Sequence, residues 1–214
     1  MPTCIAVVDF GMGNLRSVAK ALERVAPEAR VRVTSEAAAV RAADRVVFPG
    51  QGAIGDCMVE LARLELREVV LEAARARPFL GICLGLQALM EWSEENGGTE
   101  ALGVLPGNVR RFGELHDPAT GEPLKVPHMG WNRVRPTMAH PLWEGIDERS
   151  WFYFVHSYYV EPASPGPIAG ITQYGFAFAS VLARDNVFAA QFHPEKSQHD
   201  GLRLLENFVR WSPE

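Results

Sequence analysis

The chain has 214 residues, 47% of them hydrophobic and 22% charged, and a formal net charge of −5. That length and balance suit one α/β domain over residues 1–214 with a substantial core. The acidic balance, with no basic run longer than Arg110-Arg111, argues against a nucleic-acid surface. No stretch approaches the roughly 18 apolar residues of a membrane span. The three cysteines are widely spaced and the N-terminus has no basic leader, so a reducing, cytoplasmic setting is expected and no disulfide framework.

In chain order, residues 4–8 are a short apolar run suited to a strand buried on both faces. A Gly-rich turn, Asp9 to Asn14, follows, and then Leu15, Val18, Ala19, Leu22 and Val25 at helical spacing, stopped by Pro27. Gly11-Met12-Gly13 without the rest of a dinucleotide fingerprint reads as a turn or contact surface rather than a phosphate cradle. A strand at 31–34, a short helix at 36–43 and a strand at 45–48 run into Pro49-Gly50-Gln51-Gly52. Bare backbone after a buried strand lies at the carboxyl edge of the sheet, where ligands collect in open α/β folds. One long helix is expected over 56–76, then a strand from 78 that opens Gly81-Ile82-Cys83-Leu84-Gly85, then a helix over 86–92. This β-α-β alternation predicts a parallel sheet. Residues 94–98 break the helix, and the Gly- and Pro-rich region to 141 reads as short strands and loops with an excursion near His116. A single strand run over 151–160, three short antiparallel-looking strands at 169–171, 177–182 and 187–191, and a helix carrying Leu202, Leu205, Phe208 and Val209 close the chain.

Two motifs carry chemistry. Strand, Gly-x-Cys-x-Gly, helix is the cysteine form of the nucleophile elbow: the glycines make room for a strained turn that holds the Cys83 thiol at a helix N-terminus, where thiolate is favoured. In His193-Pro194-Glu195, Pro194 pushes His193 out of the helical region, and an extended chain would put residues i and i+2 on one side. A carboxylate there fixes the imidazole tautomer and frees the other ring nitrogen for acid–base work. Either motif alone is weak, and together they are specific. No CxxC or HxxxH spacing supports a metal site, and no cofactor is expected. Of the remaining histidines, His116, His128 and His140 read as ordinary polar residues, and His156 stands out at a strand end.

Taken with Pro49-Gly50-Gln51-Gly52, these motifs resemble the triad-type (class I) glutamine amidotransferases. Four further blocks resemble the branch of that family that serves a (β/α)₈ cyclase in imidazole glycerol phosphate synthesis, in the histidine pathway. They are 9–17, Met129-Gly130-Trp131-Asn132, 153–158 and 191–197. The resemblance covers nearly the whole chain. It implies a flavodoxin-like α/β fold: a mixed, mainly parallel sheet flanked by helices, with an antiparallel extension in the C-terminal half. It also implies a triad of Cys83, His193 and Glu195, with an oxyanion site from Leu84 and Gly50-Gln51-Gly52. Glutamine would be held by Gln87, Glu95, Ser157 and Tyr158. The partner would be the cyclase, in a heterodimer, met by Asn14, Tyr153 and Lys196. Gln51 departs from the small apolar residue expected in some relatives. A cysteine peptidase or γ-glutamyl hydrolase would share the elbow but needs no docking blocks at Asn14 and Lys196.

Overall fold

The computed structural model describes residues 2–213. In the first half, strand and helix alternate: β1 (Cys4–Val8), α1 (Leu15–Val25), β2 (Arg30–Thr34), α2 (Ala37–Arg41), β3 (Arg45–Gly50), α3 (Ile54–Arg63), α4 (Arg67–Ala76), β4 (Phe79–Cys83) and α5 (Leu84–Ala88). Short strands cross the loop-rich middle: β5 (Trp92–Ser93), β6 (Thr99–Glu100), β7 (Gly107–Arg111), β8 (Leu115–His116), β9 (Pro123–Leu124), β10 (His128–Arg133) and β11 (Arg135–Pro136). The chain ends with β12 (Trp151–His156), β13 (Tyr158–Pro162), β14 (Ile168–Tyr174), β15 (Phe176–Arg184), β16 (Val187–Ala190) and α6 (Gln198–Arg210).

Among the described residues one large sheet has the order β2-β1-β3-β4-β16-β15-β13-β7-β5-β6, with β14 on β15 and β11 on β14. The first five strands in that order are parallel, which is the flavodoxin-like arrangement. Their side chains alternate between two apolar layers. Ile5, Val7, Leu80 and Phe188 face α1 and α6 through Leu22, Leu204 and Phe208. Ala6, Val8, Val46 and Phe79 face the layer of α3, α4 and α5 through Leu61, Val70 and Leu86. Fully burying such a side chain contributes about 1.5–3 kcal/mol, so these layers fix the strands against each other.

The structure departs from the sequence expectations at four places. The helix expected over 56–76 is two helices. Glu65 stands at φ 56, the Leu66 N–H reaches the Leu61 carbonyl at 2.8 Å and the Glu65 N–H reaches Ala62. This is a Schellman stop with Glu in the place glycine usually takes, and it sends Leu66 into the core at 0% exposure. The run 151–160 is split at Ser157: β12 pairs with β10 in a separate two-stranded sheet, and β13 joins the main one. The helix after Cys83 covers Leu84–Ala88, and Trp92 pairs as a strand with Glu100 and Asn108. Finally, β16 is antiparallel to β15 but parallel to β4, so the last strand of the antiparallel run is also the fifth parallel strand.

Gly85 is the tightest point of this frame: a Cβ there would lie 1.8 Å from the Phe48 carbonyl oxygen. Backbone on both sides leaves no flexible side chain to yield. Gly85→Ala is expected to cost at least ~3 kcal/mol, a fall of roughly 6–12 °C in the thermal midpoint. A thermal melt of the purified variant measures this.

Candidate active site

Cys83 ends β4 and caps α5 with φ 54 and ψ −107. A non-glycine residue held there stores about 1–3 kcal/mol of backbone strain. A Cβ at Gly81 would meet the Ala189 Cβ at 2.9 Å and the Gly85 carbonyl carbon at 3.2 Å, so both flanking glycines are needed for space rather than for unusual φ. The helix is one turn long, so what it offers the sulfur is the free N–H groups of that turn, beginning at Leu84.

The neighbours of β4 decide what surrounds the thiol. On one side β3 ends with Gly50 in register with Cys83. On the other, β16 ends with Ala190 in register with Ile82, which carries Gln191 and His193 to the same sheet edge. His193 is clamped there: its N–H donates to the Tyr153 carbonyl at 2.9 Å, and the Ser197 hydroxyl donates to the His193 carbonyl at 2.6 Å while accepting the Tyr153 N–H at 3.0 Å. Pro194 opens a short 3₁₀ turn, Pro194–Lys196, which brings Glu195 back so that its Oε1 lies 2.9 Å from His193 Nδ1. The pairing expected of 193 and 195 is present, but a turn makes it and not extended-chain alternation. These side chains are 3% and 1% exposed.

A carboxylate on Nδ1 fixes the tautomer and leaves Nε2 to the thiol. Nε2 is buried with no hydrogen-bond partner of its own at rest. Burial works against a charge on this ring, but Cys83 first and Glu195 next outweigh it and push the imidazole up to about 9. The second buried thiol makes the contrast: burial alone drives Cys57 up to about 12, which leaves it unreactive.

One cavity of about 440 Å³ gathers Gln51, Gly52, Cys83, Leu84, Gln87, Glu95, Ser157 and Tyr158, and also Tyr153 and Lys196. Gly50 lies buried beneath it, where a Cβ would meet Phe10 and Leu84 at 2.9 and 3.0 Å. Asn14 is exposed outside the cavity and caps α1 through Ser17. Lys196 Nζ sits 5.8 Å over the Tyr153 ring. Gln87 is buried, and its Nε2 donates to the Tyr158 carbonyl at 3.1 Å and to Gln191 Oε1 at 3.0 Å. Its two donors are thereby used, so only its oxygen can face a ligand. Glu95 accepts the Ile54 N–H at 2.8 Å and anchors the end of the Gln51-Gly52-Ala53 loop.

A histidine pair, His156 and His128, supports the far wall. His156 Nδ1 lies 2.7 Å from the Tyr158 carbonyl, which can only accept, so Nδ1 carries the proton and Nε2 accepts. His128 Nδ1 therefore donates to His156 Nε2 at 2.9 Å, and Asn132 Nδ2 donates to His128 Nε2 at 3.2 Å. Burial pushes His128 down to about 4 and His156 down to about 3, the second also through its neighbour His128. His156 stood out in the sequence by its place at a strand end. His128 and Gln191 carry no local signal, because their roles come from strand pairing.

The model of the family "Glutamine amidotransferase class-I" matches residues 6–211. The chain is 59% identical over 210 residues to "Imidazole glycerol phosphate synthase subunit HisH" of Methylococcus capsulatus, covering 98% of this chain and 97% of that one. It is 60% identical to the protein of the same name in Nitrosococcus oceani, covering 97% of each. It is 57% identical to "subunit HisH 1" of Pseudomonas aeruginosa, covering 99% and 98%. Among solved structures, PurLQS from Thermotoga maritima superposes with a TM-score of 0.72 at 16% identity, over 98% of this chain and 99% of that one. A structure titled as a glutamine amidotransferase superposes at 0.70 and 18%, over 96% and 97%. These two show likeness of fold.

The histidine pair gives a signed pH dependence. Both rings have folded pKa values below the unfolded value near 6.5, so their contribution is complete above that pH and is lost as pH falls toward 4. Between pH 7.5 and pH 5 the unfolded chain takes up a proton on each imidazole while the folded rings stay neutral, so unfolding is expected to become easier by about 2 kcal/mol per ring. His140 and His193 also titrate differently in the folded and unfolded chains, so the check is urea denaturation of the original and of His128→Gln at the two pH values: the variant's slope should be the flatter by the share of one ring.

Proposed function

The chain belongs to the class I glutamine amidotransferase family, and on that premise we propose that it hydrolyses glutamine through Cys83, His193 and Glu195 and hands the ammonia to a cyclase. It is a glutaminase subunit of imidazole glycerol phosphate synthase, in histidine biosynthesis. The observation that carries the residue assignments is the meeting of three strand ends. A strained cysteine stands between the Gly50 loop and a buried His193–Glu195 pair, on a cavity lined by Gln87 and Glu95.

The chemistry follows from that placement. Cys83 Sγ attacks the side-chain amide carbon of glutamine, and His193 takes the thiol proton and returns it to the departing nitrogen, releasing ammonia. Water, deprotonated by the same ring, then cleaves the thioester to glutamate and restores the thiol. Glu195 keeps Nδ1 protonated and Nε2 turned inward. The oxyanion is met by the Leu84 N–H and by the Gly50-Gln51-Gly52 loop, each donor contributing about 3 kcal/mol. Glu95 and the free oxygen of Gln87 are both acceptors, so both suit the substrate's ammonium. Its carboxylate falls to the Ser157-Tyr158 backbone.

The partner's place rests on Asn14, Tyr153 and Lys196. Tyr153 and Lys196 stand at the cavity, where ammonia would leave. The turn before Asn14 packs on the oxyanion loop: a Cβ at Gly13 would lie 3.4 Å from the Gly50 Cα, and one at Gly52 would meet Met12 Cε at 2.6 Å. A cyclase seated on this turn would therefore press on the oxyanion donors. The three cysteines are all free, which suits the reducing cytoplasm.

Two outcomes test this. Cys83→Ala should abolish glutamine-dependent turnover in the complex and leave the ammonia-driven cyclase reaction intact. Loss of both would give Cys83 a structural role instead. Glu195→Gln should lower glutaminase kcat by at least about 100-fold with little change in KM, since the carboxylate orients the base and does not hold substrate.

A further inference from the structure

The Cys83 sulfur has a second neighbour that the triad chemistry does not use. Gln191 lies past the end of β16 at 0% exposure, and its Nε2 is 3.6 Å from Cys83 Sγ. Which end of a carboxamide faces a sulfur is decided by its other partners, and here they leave no choice. The Tyr158 carbonyl can only accept, so the end of Gln87 that faces it is the NH₂ group. That same NH₂ faces Gln191, so the end of Gln191 that meets it is the oxygen, at 3.0 Å. The NH₂ of Gln191 is therefore the end turned to the sulfur. A carboxamide nitrogen only donates, so the sulfur accepts from this side. Since a thiolate is a far better acceptor than a thiol, this contact favours the reactive form.

We propose that Gln191 is a positioning residue for the nucleophile: its carboxamide N–H holds the Cys83 sulfur as an acceptor facing the cavity, in an orientation set by Gln87 and the Tyr158 carbonyl. The inference rests on Cys83 being the attacking atom. The titratable groups around that sulfur are His193, with Glu195 behind it, and across the cavity Glu95, His156, Tyr158 and Lys196. None of them bonds the Gln191 side chain, whose partners are Gln87 and Cys83, so its substitution removes no charged contact to the sulfur.

The test is alkylation of Cys83 by iodoacetamide in the full chain, followed by mass spectrometry of its peptide between pH 5 and pH 10. In Gln191→Leu the pH midpoint should rise by about one unit, making alkylation below it about tenfold slower. Glutaminase kcat with the cyclase present should fall about tenfold, with KM within about twofold of the original. Gln87→Leu, one hydrogen bond further away, should move the midpoint the same way by less. Should Gln191→Leu fail to fold, Gln191→Asn keeps the amide but withdraws it by one methylene, and the same shift is expected. An alkylation profile that superposes on the original in a folded Gln191 variant overturns the proposal, whatever happens to turnover. An unchanged midpoint in Gln87→Leu overturns the part assigned to Gln87. The alkylation readout needs no glutamine, so a chain that failed as a glutaminase would still report on Gln191.

Discussion

Everything at the sheet edge depends on one close approach: the backbone of Gly85 against the carbonyl of Phe48. It lets the first turn of α5 settle directly on the end of β3. That contact lets β4 stop at Cys83 with a positive φ, and the strain there is offset by the core around it. Were α5 pushed outward by even a methyl group, Cys83 would leave its register position opposite Gly50, and the Leu84 N–H would move with it. The proposed nucleophile and one proposed oxyanion donor are adjacent residues, so a single backbone contact governs both.

A second constraint fixes orientations rather than positions. The Tyr158 carbonyl receives the Gln87 amide and the His156 ring. Because a carbonyl has no proton to give, every group bonded to it must present a donor, and each donor fixes the far end of its own side chain. The effect runs through His156 to His128 in one direction and through Gln87 to Gln191 in the other. Neutral rings suit this role, since a charged His156 would carry donors on both nitrogens and break the link to His128. Burial holds both rings below their ordinary range, so the arrangement persists at neutral pH.

Much of this was legible in the chain itself, for reasons that are local. The elbow is written in five consecutive residues, Gly81 to Gly85, whose steric needs are specific, and His193-Pro194-Glu195 is close enough in sequence for its contact to be expected. The parallel half could be read from its strand–helix alternation. What escaped reading depends on pairing between distant strands. Val187–Ala190 has the same composition whether it lies beside β15 alone or also beside β4, yet only the second arrangement brings Gln191 to the sulfur. The split at Ser157 is hidden in a run of residues that all favour strand. The stop at Glu65 is hidden because a Schellman motif normally announces itself with glycine.

On the proposed assignment, Glu95 joins the substrate end of the cavity to the oxyanion end. Its Oε2 takes the Ile54 N–H, the first of α3, and so closes the loop that begins at Gly50. Gly50 is held at the other end by its pairing with β4 and by Phe10 and Leu84 packed around it. Between these anchors only Gln51, Gly52 and Ala53 remain to change conformation, and Gly52, at φ 110, is the residue whose backbone permits it. A carboxylate that draws an ammonium group toward itself stays tied to the loop end that carries the donors. The recognition of the α-amino group and the placement of the oxyanion donors proposed for this site would therefore act on the same short segment, from its two sides.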